Sequence, residues 1–207
     1  MKKNLLFVTV TFFALNASAQ FSTGIKAGIN IAKEKYSNST YSTSGHVFFT
    51  GGIFTNYSLS KNFALELSAL YSGEGSNESY MSGQTKVTGV VKINRINIPL
   101  MIQYKTPIGL YFETGPQIGF LLSAKGKYSN SSTTYDFKSG TQSTLMSWCI
   151  GAGYRFSKIL PGLGINASYN AGLSKVNKGS VNANKITSSV FSIKLQYALF
   201  GGSKKEK

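Results

Sequence analysis

The sequence predicts an all-β fold, an eight-stranded antiparallel barrel that spans a membrane. Three observations lead to this prediction. Apolar and polar residues alternate with a period of two in eight segments, which is typical of β-strands. The connections between the segments alternate between long and short, and the charges of the strands fall on the face opposite the apolar one. Composition agrees, because only 14% of the residues are charged while 13% are aromatic.

The N-terminus has the features of a secretory signal peptide. Lys2 and Lys3 precede an apolar run from Leu5 to Leu15, and Ala17-Ser18-Ala19 forms a small-residue cleavage site. The apolar run is too short to cross about 30 Å of hydrocarbon as a helix. The predicted division of the chain is a signal peptide at 1–19, a barrel at 20–200 and a polar C-terminal tail at 201–207.

The first three predicted strands cover residues 21–32, 47–59 and 63–73. Their apolar faces are Ile25, Ala27, Ile29 and Ile31; Phe49, Ile53 and Tyr57; and Phe63, Leu65, Leu67, Ala69 and Tyr71. In the second strand Phe48 and Phe54 fall on the polar face and obscure the register. A polar loop is predicted at 34–45 and a tight turn at 60–62, because serine, threonine, asparagine and lysine replace the alternation there.

The fourth and fifth strands form the clearest hairpin. One strand runs from about Lys86 to Tyr104 after a predicted loop at 74–85, and the other runs from Leu110 to about Lys125. A Pro/Gly turn at 105–109 joins them. Pro116 cannot donate to a ladder, so we expect a bulge or a kink at that position.

The last three strands cover residues 146–156, 163–173 and 191–199. They alternate residues such as Trp148, Ile165 and Leu195 with small or polar ones. Irregular loops are predicted at 126–142 and 175–185, and a turn at 157–162. Tyrosines near strand ends are expected to form an interfacial belt: Tyr71, Tyr104, Tyr111 and Tyr154.

The face of each strand that carries the charges indicates whether lipid or water surrounds the barrel. A soluble barrel would place charges outside and apolar groups inside. Here six charged residues lie opposite the apolar faces, and we predict that they form a cluster inside the barrel: Lys26, Glu66, Arg95, Glu113, Arg155 and Lys194. Such a cluster is either a salt-bridged plug or the lining of a polar pore or proton path.

Residues for catalysis or metal binding are sparse. His46 is the only histidine, Asp136 is the only aspartate, and no G-x-S-x-G sequence is present. We therefore predict that the protein is not an enzyme and that it holds no cofactor and no metal; a lipid-modifying activity at His46 is the alternative. The single cysteine, Cys149, is interpreted as a space-filling residue.

The chain is strongly basic. Its formal net charge is +15, and removal of Lys2 and Lys3 with the signal peptide leaves +13. An exported protein rarely meets nucleic acid, so the expected acidic partners are outer-membrane lipid head groups and lipopolysaccharide. No nucleic-acid partner is predicted.

Several segments resemble the PorT-like outer-membrane β-barrel family over essentially the whole mature chain. They are GIKAGIN (24–30), GGIFTNYSLSKNFALELSALYSGEG (51–75), INIPLMIQYK (96–105), ETGPQIGFLL (113–122) and SYNAGLSKV (168–176). The resemblance implies an eight-stranded barrel in the outer membrane of a Gram-negative bacterium, inserted by the barrel-assembly machinery. We therefore expect an integral outer-membrane barrel of structural or interaction type. Founding members of the family are associated with secretion and maturation of exported proteins, so the resemblance points to assistance in that process, with secretion-system components as partners. A narrow porin-like channel for small solutes is the alternative function.

Overall fold

The computed structural model describes residues 20–37, 42–156, 159–178 and 185–201. Within these residues the chain forms ten strands and one short 3-10 helix at Lys138–Gly140. The strands are β1 (Phe21–Tyr36), β2 (Ser42–Ser44), β3 (His46–Ser58), β4 (Phe63–Ser82), β5 (Thr85–Lys105), β6 (Leu110–Tyr128), β7 (Thr134–Asp136), β8 (Thr144–Arg155), β9 (Leu163–Gly172) and β10 (Ile186–Phe200). The predicted signal peptide lies outside the described residues, as do residues 202–207 of the predicted tail.

Eight long strands close into a ring. Each pairs antiparallel with its neighbours in the order β1, β3, β4, β5, β6, β8, β9 and β10, and β10 returns to β1 with Lys26 opposite Gln196. Closure gives the backbone of every ring strand a partner on both sides, as a sheet in lipid requires. The predicted eight-stranded antiparallel barrel is confirmed.

Glycines on β1 let the closing strands approach each other. A Cβ at Gly28 would lie 2.0 Å from the carbonyl oxygen of Ile193, and one at Gly24 would lie 2.1 Å from that of Tyr197. Neither contact is compatible with a side chain. The two glycines therefore belong to the β1–β10 contact that closes the ring.

The outer surface carries an apolar belt. Outward-facing residues such as Ile25, Ile53, Leu100 and Leu195 are 46–59% exposed to the surroundings. Inward-facing positions on the same strands are mostly polar and buried. No helix among the described residues is long and apolar enough to cross a bilayer.

The strands extend well beyond this belt at the end that carries the longer connections. We predicted a loop at 74–85, but β4 and β5 continue with 20 and 21 residues and turn only at Gly83-Gln84. A strand needs about 9–11 residues to cross a membrane, so this hairpin projects beyond the belt. Outer-membrane barrels have short periplasmic turns and longer external loops, and we therefore call this the external end. The prediction failed because Glu74, Ser76 and Glu78 face inward between other polar residues, which hides the alternation.

Three smaller expectations were also wrong. The loop predicted from 34 begins later, because β1 continues to Tyr36. The loop at 126–142 contains β7, paired with β6, and the 3-10 helix. Of the bulge or kink predicted at Pro116, the bulge does not occur, since the β5–β6 register is the same on both sides of it; the register shifts between Asn94 and Arg95 instead. The short turn before β6 is as predicted, with Gly109 at φ +92°.

The belt predicts how the barrel responds to charge on its outer face. Leu100→Arg or Ile165→Arg should destabilise the folded barrel by about 2–4 kcal/mol near the middle of the bilayer. We expect the fraction of protein showing heat-modifiable gel migration after refolding into liposomes to fall. Lys92→Arg is the control, because it places an arginine on the outer face of β5 just beyond the belt. Normal folding of both belt variants would contradict the assignment of this surface to lipid.

Candidate functional site

All six charged residues singled out in the sequence point into the lumen. Lys26, Glu66, Arg95, Glu113 and Lys194 are buried, and Arg155 is partly buried. They do not form one cluster. Four of them line one small cavity, namely Lys26, Glu66, Glu113 and Lys194. Arg155 is joined to this group through Gln103, while Arg95 lies at a second level of the lumen, beside Glu74.

Glu66 is the centre of the level nearer the short turns. It is 1% exposed and forms an ion pair with Lys26 from β1. Its Oε1 also accepts a hydrogen bond of 3.2 Å from Ser68 Oγ. A carboxylate this deeply buried requires such partners, because an unpaired charge out of water costs several kcal/mol.

Gln103 joins the two carboxylates of this level. Its Nε2 donates to Glu66 Oε2 at 3.0 Å and to Glu113 Oε2 at 2.8 Å. Its Oε1 accepts from Asn56 Nδ2 at 2.7 Å and from Arg155 at 3.1 Å. Gln103 therefore connects β3, β4, β6 and β8 across the lumen.

No role was predicted for Gln103 from the sequence. Its position was accessible from the predicted β5–β6 hairpin, because Gln103 lies directly opposite Glu113 in the register. A long amide beside a buried carboxylate is a natural hydrogen-bond donor.

Tyr111 corrects one sequence prediction. We expected it in the interfacial belt, but it is 0% exposed and lies inside the barrel. Its hydroxyl is 3.2 Å from Gln196 Oε1, and the guanidinium of Arg155 lies 5.3 Å from its ring centre. A cation over an aromatic face is attracted by the ring quadrupole. The residue shares the inward face of β6 with Glu113, and that face determines its environment. Tyr104 and Tyr154 do face outward.

The level nearer the long loops centres on Glu74. Its Oε2 lies 3.7 Å from Arg95 Nε, and its Oε1 accepts from Asn97 Nδ2 at 2.7 Å and Ser72 Oγ at 3.0 Å. Asn30 extends the network by donating to Ser72 Oγ at 2.8 Å. Glu74 was missed because it fell in a predicted loop.

The lumen is balanced in charge among the described residues. Its cations are Lys26, Arg95, Lys105, Arg155 and Lys194, and its carboxylates are Glu34, Glu66, Glu74, Glu78 and Glu113. The six residues predicted from the sequence to face the lumen are four cations and two carboxylates, an excess of two positive charges. The structure adds three carboxylates that were assigned to predicted loops, Glu34, Glu74 and Glu78, and one cation that was assigned to a predicted turn, Lys105.

The cavity in the middle of the lumen is the smallest of the three lumen cavities described here, and residues of both levels line it. A cavity of about 30 Å³ lies among Lys26, Glu66, Glu113 and Lys194, which is room for one or two water molecules. Wider cavities lie at either end, with volumes of about 400 Å³ beside Lys105 and Arg155 and about 330 Å³ beside Glu34 and Glu78. The lumen is thus narrow in the middle and open towards both ends.

The residues considered for catalysis lie at the external end. His46 Nδ1 is 2.8 Å from Asn77 Oδ1, and Asp136 accepts a hydrogen bond from the backbone of Lys138 at 2.8 Å. Cys149 is buried, with its sulfur 3.6 Å from Gln117 Oε1. Over the described part of the chain, no three His, Cys, Asp or Glu side chains are grouped so that they could hold a metal ion.

An apolar belt around a closed ring of eight antiparallel strands with a polar interior defines an integral outer-membrane β-barrel protein. The chain belongs to the family described as outer membrane protein beta-barrel domain, whose sequence model matches residues 13–178. The cell outer membrane is accordingly its location. Membership of the narrower PorT-like group stays a prediction.

Solved structures of outer-membrane proteins have a similar fold. Neisserial surface protein A matches with a TM-score of 0.51 and 14% identity, over 84% of this chain and 96% of that one. OprG from Pseudomonas aeruginosa matches with a TM-score of 0.47 and 14% identity, over 89% and 98%. Ail from Yersinia pestis, in complex with the heparin analogue sucrose octasulfate, gives 0.47 and 12%, over 87% and 99%. A search of curated proteins found no significant match.

The bridging position of Gln103 generates a stability prediction. Gln103→Leu removes the donor shared by Glu66 and Glu113 and the acceptor used by Asn56 and Arg155. We expect the free energy of unfolding to fall by about 1–3 kcal/mol, since buried polar groups lose their partners. Urea titration of the barrel refolded in vesicles measures this loss.

Gln117→Leu is the matched control for that experiment. Gln117 also faces the lumen, but its Nε2 bonds only the hydroxyl of Ser147, at 3.1 Å, and its Oε1 accepts only from Cys149 Sγ, at 3.6 Å. The control should therefore lose much less stability than Gln103→Leu. Equal losses in the two variants would show that Gln103 does not hold the network together.

Proposed function

We propose that the protein is an interaction barrel with a plugged lumen, whose task is performed at its external end and not by conduction or catalysis. The observation that supports this most is the hydrogen-bonded group of Lys26, Glu66, Gln103, Glu113 and Arg155, which crosses the lumen from several strands. An eight-stranded barrel is just wide enough for its own side chains to fill.

The plug resists ion passage because its charges are already paired. An ion in transit would have to separate Lys26 from Glu66 or displace Gln103 from both carboxylates. Removing one partner of a buried ion pair typically costs about 3–5 kcal/mol. Thermal motion alone would open such a constriction rarely.

The external end offers the surface for interactions. The β4–β5 hairpin and the connection containing β7 and the 3-10 helix extend beyond the apolar belt. Outward-facing lysines follow directly after the belt, and we call them the lysine collar: Lys33, Lys35, Lys92, Lys125 and Lys127. Lys92 and Lys125 are register partners on β5 and β6, so their charges are adjacent.

The lysine collar suits phosphate groups of lipopolysaccharide and of outer-membrane lipids. It lies at the border of the hydrocarbon region, where head-group phosphates are found. Each lysine near an anionic surface contributes about 1 kcal/mol, and the attraction is screened by salt. Lipopolysaccharide is therefore our proposed partner for the outer rim.

Two further roles are hypotheses, and each rests on a different observation. Assistance in secretion or maturation of exported proteins, together with contacts to secretion-system components and the barrel-assembly machinery, rests on the PorT-like resemblance. A narrow channel for small solutes is the alternative that the wide cavities at both ends favour. It differs from the plugged barrel in whether the middle of the lumen opens.

Single-channel recording in planar bilayers tests the plug. The unmodified barrel should show no conductance steps beyond leak, because the constriction is filled. The double variant Glu66→Ala with Glu113→Ala removes both carboxylates that Gln103 joins, and we expect it to conduct. Glu78→Ala is the control, since it deletes the same group at the wide external end. Stepwise conductance of the unmodified protein would favour the channel.

Co-purification of lipopolysaccharide with the barrel, folded in neutral detergent, tests the lysine collar. Replacing Lys92, Lys125 and Lys127 with Gln should weaken the association by about 1 kcal/mol per lysine at low salt. The difference from the unmodified protein should shrink as NaCl is added. Lys61→Gln is the control, because Lys61 is an exposed lysine in the turn at the opposite end. An unchanged association in the triple variant would contradict this partner.

A further inference from the structure

The cavity at the external end has a polar side and an apolar floor. It has a volume of about 330 Å³, within the range of small-molecule sites. Its floor is formed by buried side chains from β5, β6 and the segment after β9, namely Val91, Ile93, Ala124 and Val176. Its polar side holds two carboxylates, Glu34 and Glu78, with Tyr36 and Tyr128.

Glu34 is the unusual member of this group. It lines the cavity and is 3% exposed. Among the described residues, no side chain or backbone group donates a hydrogen bond to its carboxylate, and no cation forms an ion pair with it. A buried carboxylate without partners is rare in folded proteins. Because Glu34 lines the cavity, there is room beside its carboxyl group for a partner.

The neighbouring carboxylate does have partners. Tyr36 donates a hydrogen bond to Glu78 Oε1, and Tyr128 donates one of 3.0 Å to Oε2. The two tyrosines thus satisfy Glu78 and leave Glu34 available. Glu78 still adds negative potential to the cavity, and Asp136 lines the same space.

The sign and shape of the cavity restrict its ligand. An anion would meet Glu34, Glu78 and Asp136. A bare metal ion lacks a ligand set, since no three metal-binding side chains group together in the part of the chain that the structure describes. An organic cation suits both the polar side and the apolar floor of the cavity, with its charged group on Glu34 and its apolar part on the floor. Aromatic walls from Tyr128 and Phe137 add attraction for a cation.

We propose that this external cavity binds a small organic cation, an alkyl- or aryl-ammonium compound, with the ammonium on the Glu34 carboxylate and the hydrocarbon part on Val91, Ile93, Ala124 and Val176. The site is separate from the plug and does not depend on whether the lumen conducts.

Electrostatics at Glu34 make such binding dependent on pH. Glu34 lies beyond the apolar belt, between the outward-facing Lys33 and Lys35. Burial, together with the charges of Glu78 and Glu74, raises the pKa of Glu34 to about 8, while Arg95 opposes this shift. The remaining groups that face it are the tyrosines of the cavity and Asp136.

The raised pKa of Glu34 sets the direction in which pH changes both the stability of the fold and the affinity for a cation. Because it exceeds the pKa of the unfolded chain, ionisation of Glu34 reduces stability as pH rises from about 4.5 through 8. A bound ammonium ion offsets this loss of stability, because it pairs with the ionised carboxylate of Glu34. Its affinity should therefore rise with pH up to about 8.

Isothermal titration of the full-length folded barrel in detergent with 2-phenylethylammonium tests the proposal. We expect saturable binding that strengthens about tenfold between about pH 6 and pH 7, as one proton is released per ligand. Phenylacetate and 2-phenylethanol, which have the same ring but no cation, should not saturate. Equal binding of either would overturn the assignment, and so would the absence of saturable 2-phenylethylammonium binding.

Glu34→Gln provides the decisive variant. It should fold normally, because glutamine has nearly the size of the protonated Glu34 side chain and brings no charge into the cavity, and heat-modifiable migration verifies this. It should bind 2-phenylethylammonium at least about tenfold more weakly, a loss of about 1.4 kcal/mol, and without the pH dependence. Thr43→Val is the matched control, since Thr43 bonds only the backbone oxygen of Glu34, at 2.8 Å. Binding by Glu34→Gln as tight as by the unmodified barrel would overturn the proposal.

Discussion

Pairing between β1 and β10 is the constraint on which the rest of the structure depends. These strands are distant in sequence, yet their register runs without a break from Gly24 opposite Ala198 to Tyr36 opposite Ile186. Without that contact, two long strands would expose unpaired backbone groups to hydrocarbon, where each costs several kcal/mol. Closure makes the outer surface tolerant of lipid and at the same time creates an enclosed lumen.

An enclosed lumen of eight strands imposes its own chemistry. Polar side chains that point inward cannot be hydrated freely, so they must bond each other. Gln103 solves this for Glu66 and Glu113, and Asn97 and Ser72 do so for Glu74. The interior therefore has two hydrogen-bonded levels, and the wider spaces lie beyond them. The site that we assign to an organic cation lies outside these levels, where the apolar floor begins.

The central strands were predictable because lipid on one side and a polar lumen on the other enforce a strict alternation. Residues such as Leu100 and Arg95 on β5 differ in environment simply because they differ in parity. The strict alternation of apolar and polar residues does not continue beyond the membrane. In the upper part of β4 both faces are polar, so Glu74 and Glu78 resembled loop residues although they belong to a regular strand. The prediction for Tyr111 was wrong for another reason. A tyrosine near a strand end is typical of an interfacial belt, but Tyr111 lies on the inward face of β6.

The sequence by itself determined the class of the protein, because hydrophobic periodicity records which face of each strand meets lipid. It also determined that Lys26, Glu66, Arg95, Glu113, Arg155 and Lys194 face away from lipid. Only the tertiary structure decided which of these residues meet, since contacts across a lumen depend on register and strand tilt. The amide bridge of Gln103 and the isolation of Glu34 are of this kind. The contacts of Gln103 with Asn56, Glu66 and Arg155 join strands far apart in sequence, and so do the groups around Glu34. No local pattern encodes these distances.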